Sequence, residues 1–194
     1  MKLESLQFAV STAPTAVSTY WKSEVWSWET IVEKFSKAVK TPETYKQFCA
    51  YDKATQGRIK DVGAFVGGEL FGSRRNKASM GDRTLLALDI DFGEADFPKQ
   101  FNSIIGCANI IHGTHKHNDK AGVYRYRILI PLSEPVDGEQ YEAIARKVTY
   151  RAFFKIWVLL FFCEYSGFTA FVFVICPFCC ISPINVHIQI FLNI

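Results

Sequence analysis

The sequence predicts an α+β fold built on a split βαβ–βαβ unit that lacks its last strand. Three observations carry this. Thr84–Asp91 (TLLALDID) is an apolar run of strand length. Two further strand-like runs follow, Cys107–His112 (CANIIH) and Tyr124–Pro131 (YRYRILIP). Helical patterns fill the two gaps that such a unit needs filled, one between the first and second strands and one after the third.

Taken in chain order, Trp28, Ile31, Val32, Phe35, Ala38 and Val39 recur at helical spacing, which predicts a helix over 27–39 with Ser27 as its cap. Thr41-Pro42-Glu43 reads as a second helix start, a capping hydroxyl followed by Pro and an acid, running to about Lys53. Helices are therefore expected ahead of the unit. Lys60–Gly68 (KDVGAFVGG) is glycine-rich and predicts a loop with a short extended piece, and Arg74, Arg75, Asn76 and Lys77 a basic polar loop. After the first strand, Asp96 is placed to cap a helix through Ile105, with Phe97, Phe101, Ile104 and Ile105 on one side and Pro98 tolerated in the first turn. Gly113–Gly122 predicts a polar loop. Asp137-Gly-Glu-Gln140 is a capping box ahead of Tyr141, Ile144, Ala145 and Val148 at helical spacing. The missing strand is due just after residue 150.

The chain has 194 residues, 49% hydrophobic and 21% charged, with net charge +3. That composition excludes a disordered chain, a collagen and a disulfide miniprotein. The mild positive charge permits nucleic-acid binding without arguing for it. MKLESLQFAV has an early Glu and no long apolar core, so no signal peptide is expected, and Cys49 and Cys107 are expected to be reduced cytosolic thiols. The averages conceal a break at Arg151. In 152–194 the only charged side chains are Lys155 and Glu164, and four of the six cysteines (Cys163, Cys176, Cys179, Cys180) lie there. The expected division is a core over 1–151 and an apolar tail over 152–194. The tail has three readings: out-of-frame sequence, a membrane anchor through 156–181, or a buried β-rich extension. Cys176, Cys179, Cys180 and His187 fit no standard zinc knuckle.

Three clusters have chemical potential. Asp89 and Asp91 stand at i and i+2 of a strand and so share a face. Two close carboxylates resist ionising together unless a cation lies between them, and oxygen ligands suit Mg²⁺ or Mn²⁺. A solvated acid pair is the plainer alternative. His112, His115 and His117 lie in IIHGTHKHND, as phosphate contacts, metal ligands or surface residues. Arg125 and Arg127 share one face of the third strand, with Tyr124, Tyr126, Ile128 and Ile130 on the other. Guanidinium pairs suit a triphosphate or a nucleic-acid backbone, or else face solvent.

In order, KDVGAFVGG, RRNK, LLALDID, HGTHKHND, YRYRILIPL and DGEQYEAI resemble phage- and prophage-encoded primases of the archaeo-eukaryotic primase superfamily, among them the N-terminal modules of virulence-associated E-like primase–helicases. The resemblance covers about residues 25–150. It implies an RRM-like primase catalytic core and metal-dependent synthesis of a short primer on single-stranded DNA. Asp89 and Asp91 then stand at the metal-binding pair. Gly113-Thr114-His115 stands at a small-x-His motif that contacts the nucleotide, with His115-Lys116-His117 a second alignment. Arg125 and Arg127 stand near the phosphates. The implied partners are single-stranded template, nucleoside triphosphates and a replicative helicase, and the implied place is the cytoplasm, or the membrane if 156–181 is an anchor. One departure is plain: the family's third acid, on the strand after the last helix, has no counterpart here, since Glu164 in FFCEYS lacks the context. That makes this copy an incomplete enzyme on the resemblance. Two other readings stand beside it, a rolling-circle nicking endonuclease using His115, His117 and Tyr141, and a non-catalytic remnant that binds nucleic acid or, if the tail is genuine, is tethered to the membrane.

Overall fold

The computed structural model of the chain describes residues 5–72, 75–117 and 123–164, with side chains to Ala152. It is α+β, with two antiparallel sheets and five helices among these residues.

The N-terminal region corrects the expectation of helices alone. Strand β1 (Gln7–Ala13) pairs antiparallel with β2 (Lys22–Ser27) and with β3 (Ala64–Val66), giving the order β2-β1-β3. Phe8 and Val10 point into the core as a strand's alternation requires. Helix α1 (Trp28–Ser36) follows, and the Ser27 hydroxyl accepts from Thr30 N–H at its start, as expected. The helix expected from Thr41 to about Lys53 is shorter, and a further helix that the sequence did not predict follows it. α2 (Tyr45–Ala50) begins later than Thr41, behind a capping box of Thr44 and Gln47. α3 (Lys53–Lys60) starts anew because the Asp52 carboxylate takes the N–H groups of Ala54 and Thr55. A capping Asp inside a helical pattern breaks it.

The second sheet has the order β4-β5-β7-β6, from β4 (Gly68–Leu70), β5 (Met80–Gly93), β6 (Ile110–Gly113) and β7 (Tyr124–Val136). β7 lies antiparallel between β5 and β6, which therefore run parallel to each other. Helix α4 (Phe97–Ile105) makes the crossover. It opens at Asp96, whose carboxylate accepts from the Gln100 side chain and makes no backbone cap, a departure from the expected role. Helix α5 (Gly138–Glu164) opens on the expected box, Asp137 with Gln140. It runs straight through the compositional break at Arg151 and occupies the stretch where a strand was due. Ala152, just past the break, is still fully buried in the core beneath this helix.

Two cores sandwich the second sheet. Leu86, Leu88, Ile90, Tyr126, Ile128 and Ile130 pack under α4 and α5. On the opposite face Leu85 and Leu129 pack under Phe8, Val10, Trp26 and Ile31 of the N-terminal layer. Polar bonds tie the layers as well. The buried Ser11 hydroxyl donates to Gly68 O and accepts from Leu70 N–H, both at 3.0 Å, and Thr84 donates to Ala9 O at 2.6 Å. No helix among the described residues is long and apolar enough to cross a membrane. The span 156–181 extends beyond them, as do the four tail residues considered for zinc and, in the basic loop, Arg74.

Candidate functional site: acid–arginine rows on a half-covered sheet

The N-terminal layer covers only part of its sheet face. Ala87, Leu129 and Ile110 form an apolar row across β5, β7 and β6, packed beneath it. One step along the strands the chemistry changes. Asp89 stands opposite Arg127, and Arg127 opposite His112, so three strands place an acid, a guanidinium and an imidazole in one row. The next step brings Asp91 and Arg125. The side-chain alternation that put Asp89 with Asp91, and Arg125 with Arg127, in the sequence thus places all four on the same face.

The two rows differ. Arg127 grips Asp89 with both arms of its guanidinium, Nε to Oδ1 at 2.6 Å and a terminal nitrogen to Oδ2 at 3.0 Å. Asp89 is only 9% exposed. Near Asp91 the ladder slips: Ile90 pairs with Tyr126 and Gly93 with Tyr124, so Asp91 and Phe92 together oppose Arg125. Such a bulge turns a strand outward. Asp91 is more open, and Arg125 approaches it only to 3.9 Å while donating to Lys116 O at 2.9 Å.

His112 completes the first row and is the residue that sequence reasoning underrated. Its ring stacks on Phe35 of α1 at 5.6 Å. Nδ1 lies 3.1 Å from the Gly113 carbonyl, which can only accept, so that nitrogen carries the proton. Nε2 is buried with no partner. Burial pushes the imidazole below its ordinary pKa. The Gly113 bond and Asp89 oppose that, and Arg127 adds to it. The cross-strand register, which no one-dimensional pattern contains, is what brings His112 into the row.

The other two histidines go elsewhere. Thr114 N–H and His117 Nδ1 both reach Arg125 O, at 3.1 and 2.8 Å, and His117 N–H closes a turn on Thr114 O. The His117 ring is thereby folded against Tyr124 and Tyr126 and lies over Gly113, where a Cβ would meet its Cγ at 2.9 Å. His115 is exposed and lies over Phe48 of α2, ring centroids 4.3 Å apart. Burial, then Lys60 and Lys116 against an opposing Glu43, holds its pKa low. The loop histidines thus flank the rows without joining them.

Tyr141 is 3% exposed and its hydroxyl is bonded to the backbone of Ala87. It has no access to DNA, and the nicking reading that needed it as a nucleophile is withdrawn.

A divalent cation finds the right donors here, two carboxylates on one face. The arrangement is closed to it, since both oxygens of Asp89 are already engaged. No group of three or more His, Cys, Asp or Glu side chains converges among the described residues.

One comparison bears on this face. The model of the VapE N-terminal domain matches residues 2–156, which include both sheets and both acid–arginine rows. The chain belongs to the VapE N-terminal domain family. No curated protein and no solved structure gives a significant match. As a VapE N-terminal domain, the chain carries its charged rows on β5 and β7 within the matched span, and β1 and β2 belong to the same unit.

Proposed function

We propose that this chain is a primase-type nucleotidyltransferase module of a phage or mobile element, incomplete in its third acid, built to act in the cytoplasm on single-stranded DNA and nucleoside triphosphates. The observation that carries the reading is the pair of adjacent acid–arginine rows on one half-covered sheet face. Family membership and the order β5-β7-β6 with its helical crossover, the connectivity of a split βαβ or RRM-like core, support it. Arg127 and Arg125 bind phosphate, since guanidinium matches its oxygens two at a time. The apolar row behind them keeps water from the rear of the site. Asp89 and Asp91 are the carboxylates that would hold Mg²⁺ or Mn²⁺, with Arg127 displaced from Asp89, and such an ion would supply charge neutralisation at the reacting phosphate. In the reaction, a 3′-hydroxyl oxygen bonds to the α-phosphorus and the bond to the bridging oxygen breaks. Pyrophosphate leaves and the hydroxyl proton passes to water. A replicative helicase is the partner that this chemistry serves.

The test is binding of a fluorescent, non-hydrolysable triphosphate with and without Mn²⁺, in the native chain and in Asp89→Ala/Asp91→Ala. The reading expects Mn²⁺-dependent binding that falls at least about tenfold in the double variant. Unchanged binding overturns it.

A further inference from the structure

We propose that the turn between β1 and β2 and the guanidinium of Arg75 form a phosphodiester site, which seats the backbone of a single-stranded DNA and leads it toward Arg127. This rests on the nucleotidyltransferase reading and adds to it the place where the strand is held.

The turn is braced from within. Ser18 N–H donates to Thr15 O at 3.2 Å, Thr15 N–H donates to the Ser18 hydroxyl at 3.2 Å, and the two hydroxyls meet at 2.9 Å. Ala16 N–H donates to the Asp61 carboxylate at 2.7 Å, and the Trp21 indole N–H to Ser18 O at 3.0 Å. Against this turn lies an open cavity of about 300 Å³, lined by Ala16, Val17, Ser18, Thr19 and Arg75. Trp21 is buried and gives the arginine a fixed platform, with the guanidinium carbon 5.7 Å from the ring centroid. A guanidinium held over an aromatic face keeps its planar fork of donors available. No hydrogen bond or ion pair joins that fork to another described residue.

Two nearby charges decide what this arginine takes. Burial holds its pKa below the ordinary value, Asp61 opposes that, and Arg127 adds to it, so both residues lie within electrostatic reach. The Asp61 carboxylate is engaged by the Ala16 amide, and its charge trims the attraction for anions. The site therefore suits the single charge of one phosphodiester better than the several charges of a triphosphate. Arg127 supplies the direction. Its side chain is 41% exposed, whereas that of its partner Asp89 is 11% exposed, so the guanidinium has an open side. Phosphates laid from Arg75 toward Arg127 relieve the repulsion between the two cations. The cavity offers a guanidinium and hydroxyls and no aromatic face, so it holds a strand in place without reading its bases.

The experiment is fluorescence anisotropy of a fluorescein-labelled oligo-dT of about 12 nucleotides, within the span of a single-strand site. It is titrated with the full chain at several salt concentrations, and a thermal melt of each variant reports folding. Arg75→Gln is expected to weaken binding at least about threefold and to flatten the slope of log affinity against log salt by about 0.7, the value for one phosphate contact on a single strand. A merely structural role for Arg75 leaves that slope alone. Arg75→Lys keeps the charge and restores the slope. Thr19→Glu sets an acid at an exposed position of the turn, reproduces the loss at an unchanged Tm, and serves if the Arg75 variants do not fold. Oligo-dA shows the same losses as oligo-dT, and the fluorescent triphosphate binds the native chain and Arg75→Gln alike. Unchanged oligo-dT affinity and slope in the folded variants overturn the site. A loss of triphosphate binding in place of oligo-dT binding overturns its assignment to the strand. Failure of the underlying reading looks different, because the triphosphate then binds equally well to Asp89→Ala/Asp91→Ala while oligo-dT binding still depends on Arg75.

Discussion

The Tyr141 hydroxyl rests on the main chain of Ala87, accepting its N–H at 3.2 Å and donating to its carbonyl at 3.4 Å. β4 pairs with β5 only at its start, Gly68 with Arg83 and Leu70 with Met80. Gly67 O then takes the N–H groups of Thr84 and Leu85. Beyond that point no strand among the described residues lies on the outer side of β5, and a side chain from α5 does a neighbouring strand's hydrogen bonding.

Tyr141→Phe therefore removes a bond without removing the packing, because the ring stays under the Arg83 guanidinium at 4.9 Å. The expected cost is about 1–2 kcal/mol in urea unfolding, and the Ala87 amide exchanges faster in deuterium exchange. Unchanged exchange at Ala87 would show that the hydroxyl is idle.

Asp89 and Arg127 are unequal in stability as well as in exposure. Arg127→Ala leaves a sheltered carboxylate without its guanidinium and is expected to destabilise by roughly 1.5–3 kcal/mol. Asp89→Ala leaves a guanidinium that can reach water and costs less. A double-mutant cycle measures the pair, and equal single costs would contradict this asymmetry.

His112 gives the fold an acid sensitivity. Its folded pKa lies below the ordinary 6.5, chiefly through burial. As pH falls through 6.5 the unfolded chain takes up a proton that the folded chain refuses, so stability falls, down to the lowered folded pKa. Unfolding at pH 7.5 and 5.5 should show a smaller loss in His112→Gln than in the native chain. Part of the slope persists, since His115 is shifted the same way. An identical slope in both would assign it to other groups.

Gly67, just ahead of β4, lies hard against β5. A Cβ there would meet Leu85 Cβ at 2.5 Å and Leu85 O at 3.0 Å. Gly67→Ala is expected to cost about 1–3 kcal/mol by forcing β4 from β5, read as a lower urea midpoint.

Some of this was legible in one dimension. β5, α4, β7 and the start of α5 follow from apolar runs, helical spacing and a capping box, and the shared faces of Asp89 with Asp91 and of Arg125 with Arg127 follow from strand alternation. The N-terminal sheet was not legible, because β1 buries Ser11 between Val10 and Ala13 and so spoils its own alternation. The break between α2 and α3 hides in one side chain, Asp52, whose capping competes with the helical pattern. In the site, what escaped was register. That Asp89 meets Arg127, and that His112 rather than His115 ends the row, depends on which residues pair across strands.

The shared core also sets the smallest piece of this chain that can fold by itself. Leu85 and Leu129 are roofed by Phe8, Val10 and Trp26, and Ser11 supplies the partner for Leu70 N–H. A chain cut to begin at Trp28 would keep every acid and arginine of the rows, yet it would open that apolar row to water and strand a buried amide. The charged face cannot be excised from its roof, and efforts to obtain a minimal domain should keep Phe8.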